Sequence, residues 1–117
     1  MLMDAKLYDL TPLNILVDGN ELFRKYLIEL FNETTPPIIN DIKSSYLEKD
    51  WIGLYAHSHK IKPTVESMGI YLMMPVINTI LEEAKKKTDS ILLKSMVDNF
   101  CETIENTIVQ LQTNELC

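Results

Sequence analysis

The chain has 117 residues, the size of a single domain, and its 46% apolar content suffices to bury a core without disulfides or metals. A formal net charge of −6 opposes binding to polyanions, so we expect neither nucleic acid nor a membrane as a partner. Two cysteines without C-x-x-C spacing support neither a disulfide framework nor a thiolate zinc site, and the chain start lacks a signal-peptide pattern, which predicts a cytoplasmic location.

Turn signals are few, and they divide the chain into one short and four long helical segments. Only three glycines and five prolines interrupt a sequence rich in helix-forming residues, which predicts an all-α fold. Asp9-Leu10-Thr11-Pro12 is typical of a helix start, and Asp18-Gly19-Asn20 ends that short helix. The next apolar stripe keeps helical spacing, but Pro36-Pro37 removes two backbone donors and predicts a kink or short break. That stripe consists of Phe23, Leu27, Leu30, Phe31, Ile38, Ile42 and Tyr46.

The second half of the chain predicts three further helices. Asp50-Trp51 restarts the helical pattern for a helix over about residues 51–68, and another helix should run from about Tyr71 to Lys87. The three lysines at its end are expected to be solvated charges that complement the helix dipole. Thr88-Asp89 is predicted to cap the last helix. The apolar stripes of the first and last of these helices are Leu54, Ser58, Ile61, Val65, Met68 and Leu72, and Leu93, Val97, Phe100, Ile104, Ile108 and Leu111.

Four amphipathic stripes joined by short loops indicate an antiparallel four-helix bundle with a short extra N-terminal helix. We expect residues 1–117 to form one such domain, and we expect a monomer. The longest uncharged run, residues 67–81, is shorter than the about 20 apolar residues of a membrane span.

Both histidines lie on the helix predicted for residues 51–68. At about 100° per residue, His59 lies about 130° from the centre of the apolar stripe and should face solvent, whereas His57 lies about 70° from it, on the flank. Because residues i and i+2 diverge by about 200° on a helix, the two imidazoles cannot share one metal ion. A plain solvated histidine is the alternative to a functional His59.

Lys62 and Glu66 follow His59 on neighbouring turns of the same helix face. A neutral imidazole is a nucleophile near neutral pH, and a lysine ammonium can neutralise the oxygens of a transferring phosphoryl group. Glu66 would oppose that charge unless it pairs with Lys62. Pro63 leaves the carbonyl of His59 without its helical donor and tends to bend the helix there.

The segment from His59 to Ile70 resembles the motif of histidine-containing phosphotransfer (HPt) domains, His-x-x-Lys-Gly with a further glycine ten residues after the histidine. His59, Lys62 and Gly69 occupy three of these places, whereas Pro63 and Glu66 stand where the family usually has a glycine and a small residue. About residues 8–112 fit the layout of the family, including Glu29-Leu30-Phe31 and the Glu48-Lys49-Asp50-Trp51 junction. Placing His57 at the motif histidine leaves no glycine at the later position.

The resemblance implies a carrier in a two-component phosphorelay rather than an enzyme with a kinase active site of its own. It implies that His59 accepts a phosphoryl group from the phospho-aspartate of a response-regulator receiver domain, or of a hybrid sensor histidine kinase, and passes it on. Lys62 would stabilise the phosphate charge. The receiver would supply Mg²⁺, so no cofactor is expected here. Tyr55, Lys60, Glu66 and Gly69 are expected around the partner interface. The alternative function is a helical adaptor that docks a receiver domain without carrying phosphate.

Overall fold

The computed structural model describes residues 5–116. Within them the chain forms five α-helices and one short 3-10 helix, and no strand, which confirms the all-α prediction. In chain order these are α1 (Thr11–Val17), α2 (Glu21–Leu47), α3 (Trp51–Ser67), the 3-10 helix (Tyr71–Met73), α4 (Met74–Lys85) and α5 (Ile91–Glu115).

Three of the long helices, α2, α3 and α5, begin at side chains that cap their free amide groups. Asn20 and Asp50 each accept a hydrogen bond from the amide three residues later, at the starts of α2 and α3. The cap of α5 was predicted at Thr88-Asp89, and this is wrong. Ser90 adopts the extended cap conformation and accepts a hydrogen bond from the amide of Leu93 at 2.9 Å. Thr88 and Asp89 therefore lie in the connection before the helix.

Asp89 instead ties this connection to the end of α2 and the turn that follows it. Its carboxylate accepts hydrogen bonds from the Tyr46 hydroxyl at 2.8 Å and from the Lys49 ammonium at 2.6 Å. The same ammonium lies over the rings of Tyr46 and Trp51, 5.5 and 6.0 Å from their centroids. Hydrogen bonds from Lys49 and Tyr46 lower the pKa of Asp89, and burial raises the pKa of Tyr46 to about 12. These contacts hold the end of α2 and the start of α3 against the α4–α5 connection.

The break predicted at Pro36-Pro37 is absent, because α2 continues through both prolines. The two missing amide hydrogens would have reached the carbonyls of Asn32 and Glu33. Both prolines lie on the exposed side of α2, where water can serve those carbonyls. The neighbouring Ile39 is 1% exposed, so packing on the opposite side outweighs the local cost of the prolines.

Each long helix contacts two others. The α2 helix packs against α3 and α5, the α4 helix packs against α3 and α5, and α1 covers part of α2. The radius of gyration is 14.8 Å, near the about 13 Å expected for a compact domain of this length. None of the helices in residues 5–116 combines the length and apolar character that crossing a bilayer requires.

The core confirms the apolar stripes of α3 and α5 but corrects that of α2. Leu54, Ile61 and Val65 of α3 are fully buried or nearly so, whereas Leu72, placed on the same stripe, is 72% exposed. On α2, Phe23 and Leu30 are 41% and 39% exposed. The stripe of α2 is therefore rotated from its predicted position, because it must face α3 and α5 at once. The buried members of α2 are Ile28, Phe31, Thr35, Ile39, Ile42, Ser45 and Tyr46.

A polar cluster formed by Tyr8, Arg24 and Glu115 lies near the two ends of the described part of the chain. Arg24 donates to Glu115 at 2.8 Å, and the Tyr8 hydroxyl donates to the same carboxylate at 2.8 Å. Burial raises the pKa of Glu115, but the hydrogen bonds from Arg24 and Tyr8 outweigh it and hold that pKa below its usual value. This cluster fixes the segment before α1 against the end of α5.

Candidate functional site

The two histidines project from different sides of α3, as their angular positions predicted. His59 is exposed, whereas the side chain of His57 is 34% exposed and its Nδ1 lies 4.0 Å from Oδ2 of Asp41 on α2. The fully buried residues Leu54, Ser58 and Ile61 flank this region and anchor α3 to the core. His59 is thus an accessible imidazole on a helix whose opposite side is fixed.

An aromatic contact supports His59 on its N-terminal side. The rings of Tyr55 and His59 are stacked, with centroids 5.9 Å apart and an angle of 19° between their planes. The Lys85 ammonium of α4 lies 5.5 Å from the centroid of the Tyr55 ring. Lys85 was predicted to be a solvated end charge, and this is incomplete, because its ammonium engages a ring on the neighbouring helix.

Lys62 and Glu66 lie on the C-terminal side of His59. They stand three and seven residues further along the helix, about 4.5 and 10.5 Å in axial rise. Lys62 is half-buried and Glu66 is exposed. The ion pairs formed within residues 5–116 include neither side chain. The pairing of Glu66 with Lys62 that would have cancelled its charge is therefore absent, and the Lys62 ammonium is available to an anion near His59.

Lys60 and Gly69, the other residues singled out in the sequence, occupy different surroundings. Lys60 is exposed, about 100° around the helix from His59. Gly69 is buried at the C-terminal end of α3, about 15 Å along the chain axis from His59. Lys60 is thus free to contact a partner at the side of the histidine, whereas Gly69 belongs to the end of the helix.

Gly69 stops α3 in a Schellman motif. Its φ is +65°, its amide donates to the carbonyl of Glu66, and the amide of Ile70 donates to the carbonyl of Val65. A Cβ at Gly69 would overlap the backbone of Asp9, whose carbonyl carbon and nitrogen lie 2.7 Å from that position. The local structure thus accounts for a glycine here through chain packing alone.

One buried group next to the histidines has no partner. Ser58 is fully buried, and its Oγ forms no hydrogen bond within the described part of the chain. It lies on the apolar stripe of α3, on the side away from His59. Periodicity had placed Ser58 on that stripe, and its unpaired hydroxyl is a feature that only the packed structure reveals.

The segment that contains His59 differs in net charge from the rest of the chain. Residues 51–87 contain five lysines and three acidic residues, which gives this segment a formal net charge of +2. Since the whole chain carries −6, the remaining residues carry −8. A shallow cavity of about 370 Å³ opens on the same side, lined by Trp51, Ile52, Tyr55, Ala84, Lys85 and Lys87. In residues 5–116, no three His, Cys, Asp or Glu side chains are grouped to hold a metal ion.

No protein-family model, curated protein or solved structure matches this chain.

Proposed function

We propose that the chain is a histidine phosphotransfer protein that carries a phosphoryl group on His59 between receiver-domain aspartates of a phosphorelay. The observation that carries the proposal is an exposed imidazole one helical turn from an ammonium without an ion-pair partner in residues 5–116. The resemblance of His59, Lys62 and Gly69 to the HPt motif supports it. In this proposal α2, α3, α4 and α5 are the four helices of an antiparallel bundle, and α1 is the extra helix.

The proposed transfer needs only a nucleophile and a positive charge from this chain. A lone pair of a His59 ring nitrogen attacks phosphorus, a P–N bond forms, and the P–O bond to the aspartyl carboxylate breaks. The carboxylate leaves with the bonding electron pair, and the same step in reverse loads the next receiver. The attacking nitrogen of a neutral imidazole carries no proton, so no general base is required. The Lys62 ammonium offsets charge on the three transferring oxygens.

An acidic partner suits the surface around His59. A receiver domain brings the phospho-aspartate, further carboxylates and Mg²⁺, so the proposed carrier has no cofactor of its own. The net charge of +2 over residues 51–87 attracts such a pocket, while the −8 of the remaining chain disfavours docking elsewhere. Tyr55 and Ile52 line an apolar cavity beside the lysines, and burial of such side chains adds affinity at the centre of an interface. Lys60 lies at the rim.

Phosphoryl uptake from phosphorylated receiver domains with Mg²⁺ tests the proposal. We expect acid-labile, base-stable label on the wild type and on His57→Gln, and none on His59→Gln. His57→Gln is the matched control, since it changes an imidazole two residues away on the same helix. Label that persists in His59→Gln rules out this site. Binding of receivers without label on any form establishes the docking adaptor instead.

The role of Lys62 has its own control. Lys62→Ala should slow transfer by about 10- to 100-fold, because an ammonium near the transferring oxygens acts mainly in the transition state. Lys25→Ala removes the same charge from an exposed position on α2 and should leave the rate unchanged. Glu66→Ala should raise the rate, since the carboxylate repels the incoming phosphoryl group. Equal rates in the Lys62 and Lys25 variants remove Lys62 from the site.

A further inference from the structure

No hydrogen bond within residues 5–116 orients the imidazole of His59. Reactive histidines are commonly oriented by a hydrogen bond from one ring nitrogen to a carboxylate or carbonyl, which also selects the tautomer. Within residues 5–116 His59 has no ion-pair partner and no hydrogen-bond partner of this kind. His57, in contrast, approaches Asp41. Whatever restricts the ring of His59 must therefore be a contact with its face or edge.

The contact present is the stack on Tyr55, one helical turn earlier. Residues i and i+4 are neighbours on a helix surface, and a ring pair with centroids 5.9 Å apart and planes 19° apart is in the favourable offset range. A stack contacts the face of the imidazole and not its edge. The stack itself therefore does not cover the ring nitrogens, and the His59 residue is exposed.

Lys85 connects this stack to a second helix. Tyr55 is on α3, and the ammonium of Lys85 on α4 lies 5.5 Å from its ring centroid. Ala84, which precedes Lys85, is 1% exposed and fixes the end of α4 against the core. The Tyr55 ring is thus held between its own helix and an anchored neighbour, which limits the rotamers it can adopt.

We propose that Tyr55 is a positioning residue for His59, and that Lys85 holds Tyr55 in place. The orientation of the ring does not depend on phosphotransfer, whereas its consequence for the rate rests on the proposed function. Restricting the imidazole to one rotamer raises the fraction of encounters in a reactive geometry. Because the contact is made by the aromatic face, phenylalanine should replace tyrosine at this position, and leucine should not.

Two measurements on the same variants test this proposal separately from the proposed function. The first is the set of NMR resonances of the His59 ring in the free protein, which report the ring current of Tyr55. The second is the rate of transfer from a phosphorylated receiver. We expect Tyr55→Phe to leave the His59 resonances near their wild-type positions and the transfer rate within about twofold of the wild type. Tyr55→Leu should shift the resonances and slow transfer about 3- to 10-fold, the range that one aromatic pair represents.

Lys85→Gln supplies a second variant that leaves the Tyr55 side chain intact. It should shift the His59 resonances in the same direction as Tyr55→Leu, and transfer should be slower than in Lys87→Gln. Lys87→Gln removes a charge from the same basic run and the same cavity, but Lys87 is in none of the cation–π pairs of residues 5–116. Wild-type resonances in Tyr55→Leu overturn the proposal, and so does Tyr55→Phe that is as impaired as Tyr55→Leu. If no receiver loads the wild type, the proposed function fails, and the His59 resonances of Lys85→Gln, which keeps the Tyr55 ring, decide whether the arrangement of the two rings depends on Lys85.

Discussion

Replacing Gly69 by alanine should destabilise the protein through two separable effects. The backbone of Gly69 has φ of +65°, and the left-handed conformation costs an L-residue about 1–2 kcal/mol. The new Cβ would also overlap backbone atoms of Asp9, which cannot move aside as a flexible side chain could. Overpacking of this kind costs about 1–3 kcal/mol. The total predicted loss is about 2–5 kcal/mol.

Gly19→Ala is the matched control for this experiment. Gly19 has φ of +83° but no atom within 4 Å of the position of a Cβ, so alanine there should cost only the conformational term of about 1–2 kcal/mol. With a urea dependence of about 2 kcal/mol per molar, the midpoint should fall by about 0.5–1 M for Gly19→Ala and about 1–2.5 M for Gly69→Ala. Equal shifts in the two variants would refute the close approach of Gly69 to Asp9.

Three further predictions concern groups that take no part in the proposed transfer. Ser58→Ala should raise the free energy of unfolding by about 1 kcal/mol, because it removes a buried hydroxyl without a partner in residues 5–116, and a loss of stability in urea titration would show that the hydroxyl is satisfied. Burial raises the pKa of Cys101 to about 12, so in a Cys117→Ser background a thiol reagent at about pH 8 should label the protein only as it unfolds; rapid labelling in buffer would contradict this. Because the pKa of Glu115 is lowered in the folded state, its stabilisation is present above the unfolded carboxyl pKa and is lost as pH falls through the folded value. The difference in unfolding free energy between wild type and Glu115→Gln should therefore shrink from about pH 7 to about pH 3, and a constant difference would exclude this linkage.

Local signals predicted the helix boundaries well wherever a capping residue and a periodic stripe agreed. The start of α3 at Trp51 after Asp50 and the end of α1 before Gly19 follow from such signals. The predictions from local signals were wrong at two places, the predicted break in α2 and the predicted cap of α5. Pro36-Pro37 is a strong local breaker, but α2 continues because the residues around it bury their side chains against two other helices. At the start of α5, the adjacent Asp89 serves Tyr46 and Lys49, which leaves the cap to Ser90.

In the candidate site, too, some features could be predicted from the sequence and others could not. A helical wheel placed His59 toward solvent and Lys62 one turn away, since both lie on one helix with a fixed rise and angle per residue. The contact of Lys85 with Tyr55 depends on how α4 lies against α3, and no periodicity within either helix reports that distance. Gly69 matched a motif position by spacing, whereas its burial against Asp9 depends on where the segment before α1 runs.

The sequence by itself determined that the chain is helical, where most helices begin and end, and which side of α3 presents His59. These properties depend on interactions between residues a few positions apart, such as caps, breakers and apolar periodicity. Only the tertiary structure decided which side of α2 is buried, that α2 continues through its prolines, and that Tyr55 lies between His59 and Lys85. Those properties depend on distances between helices that are set by packing of the whole core, and residues far apart in sequence contribute to them together.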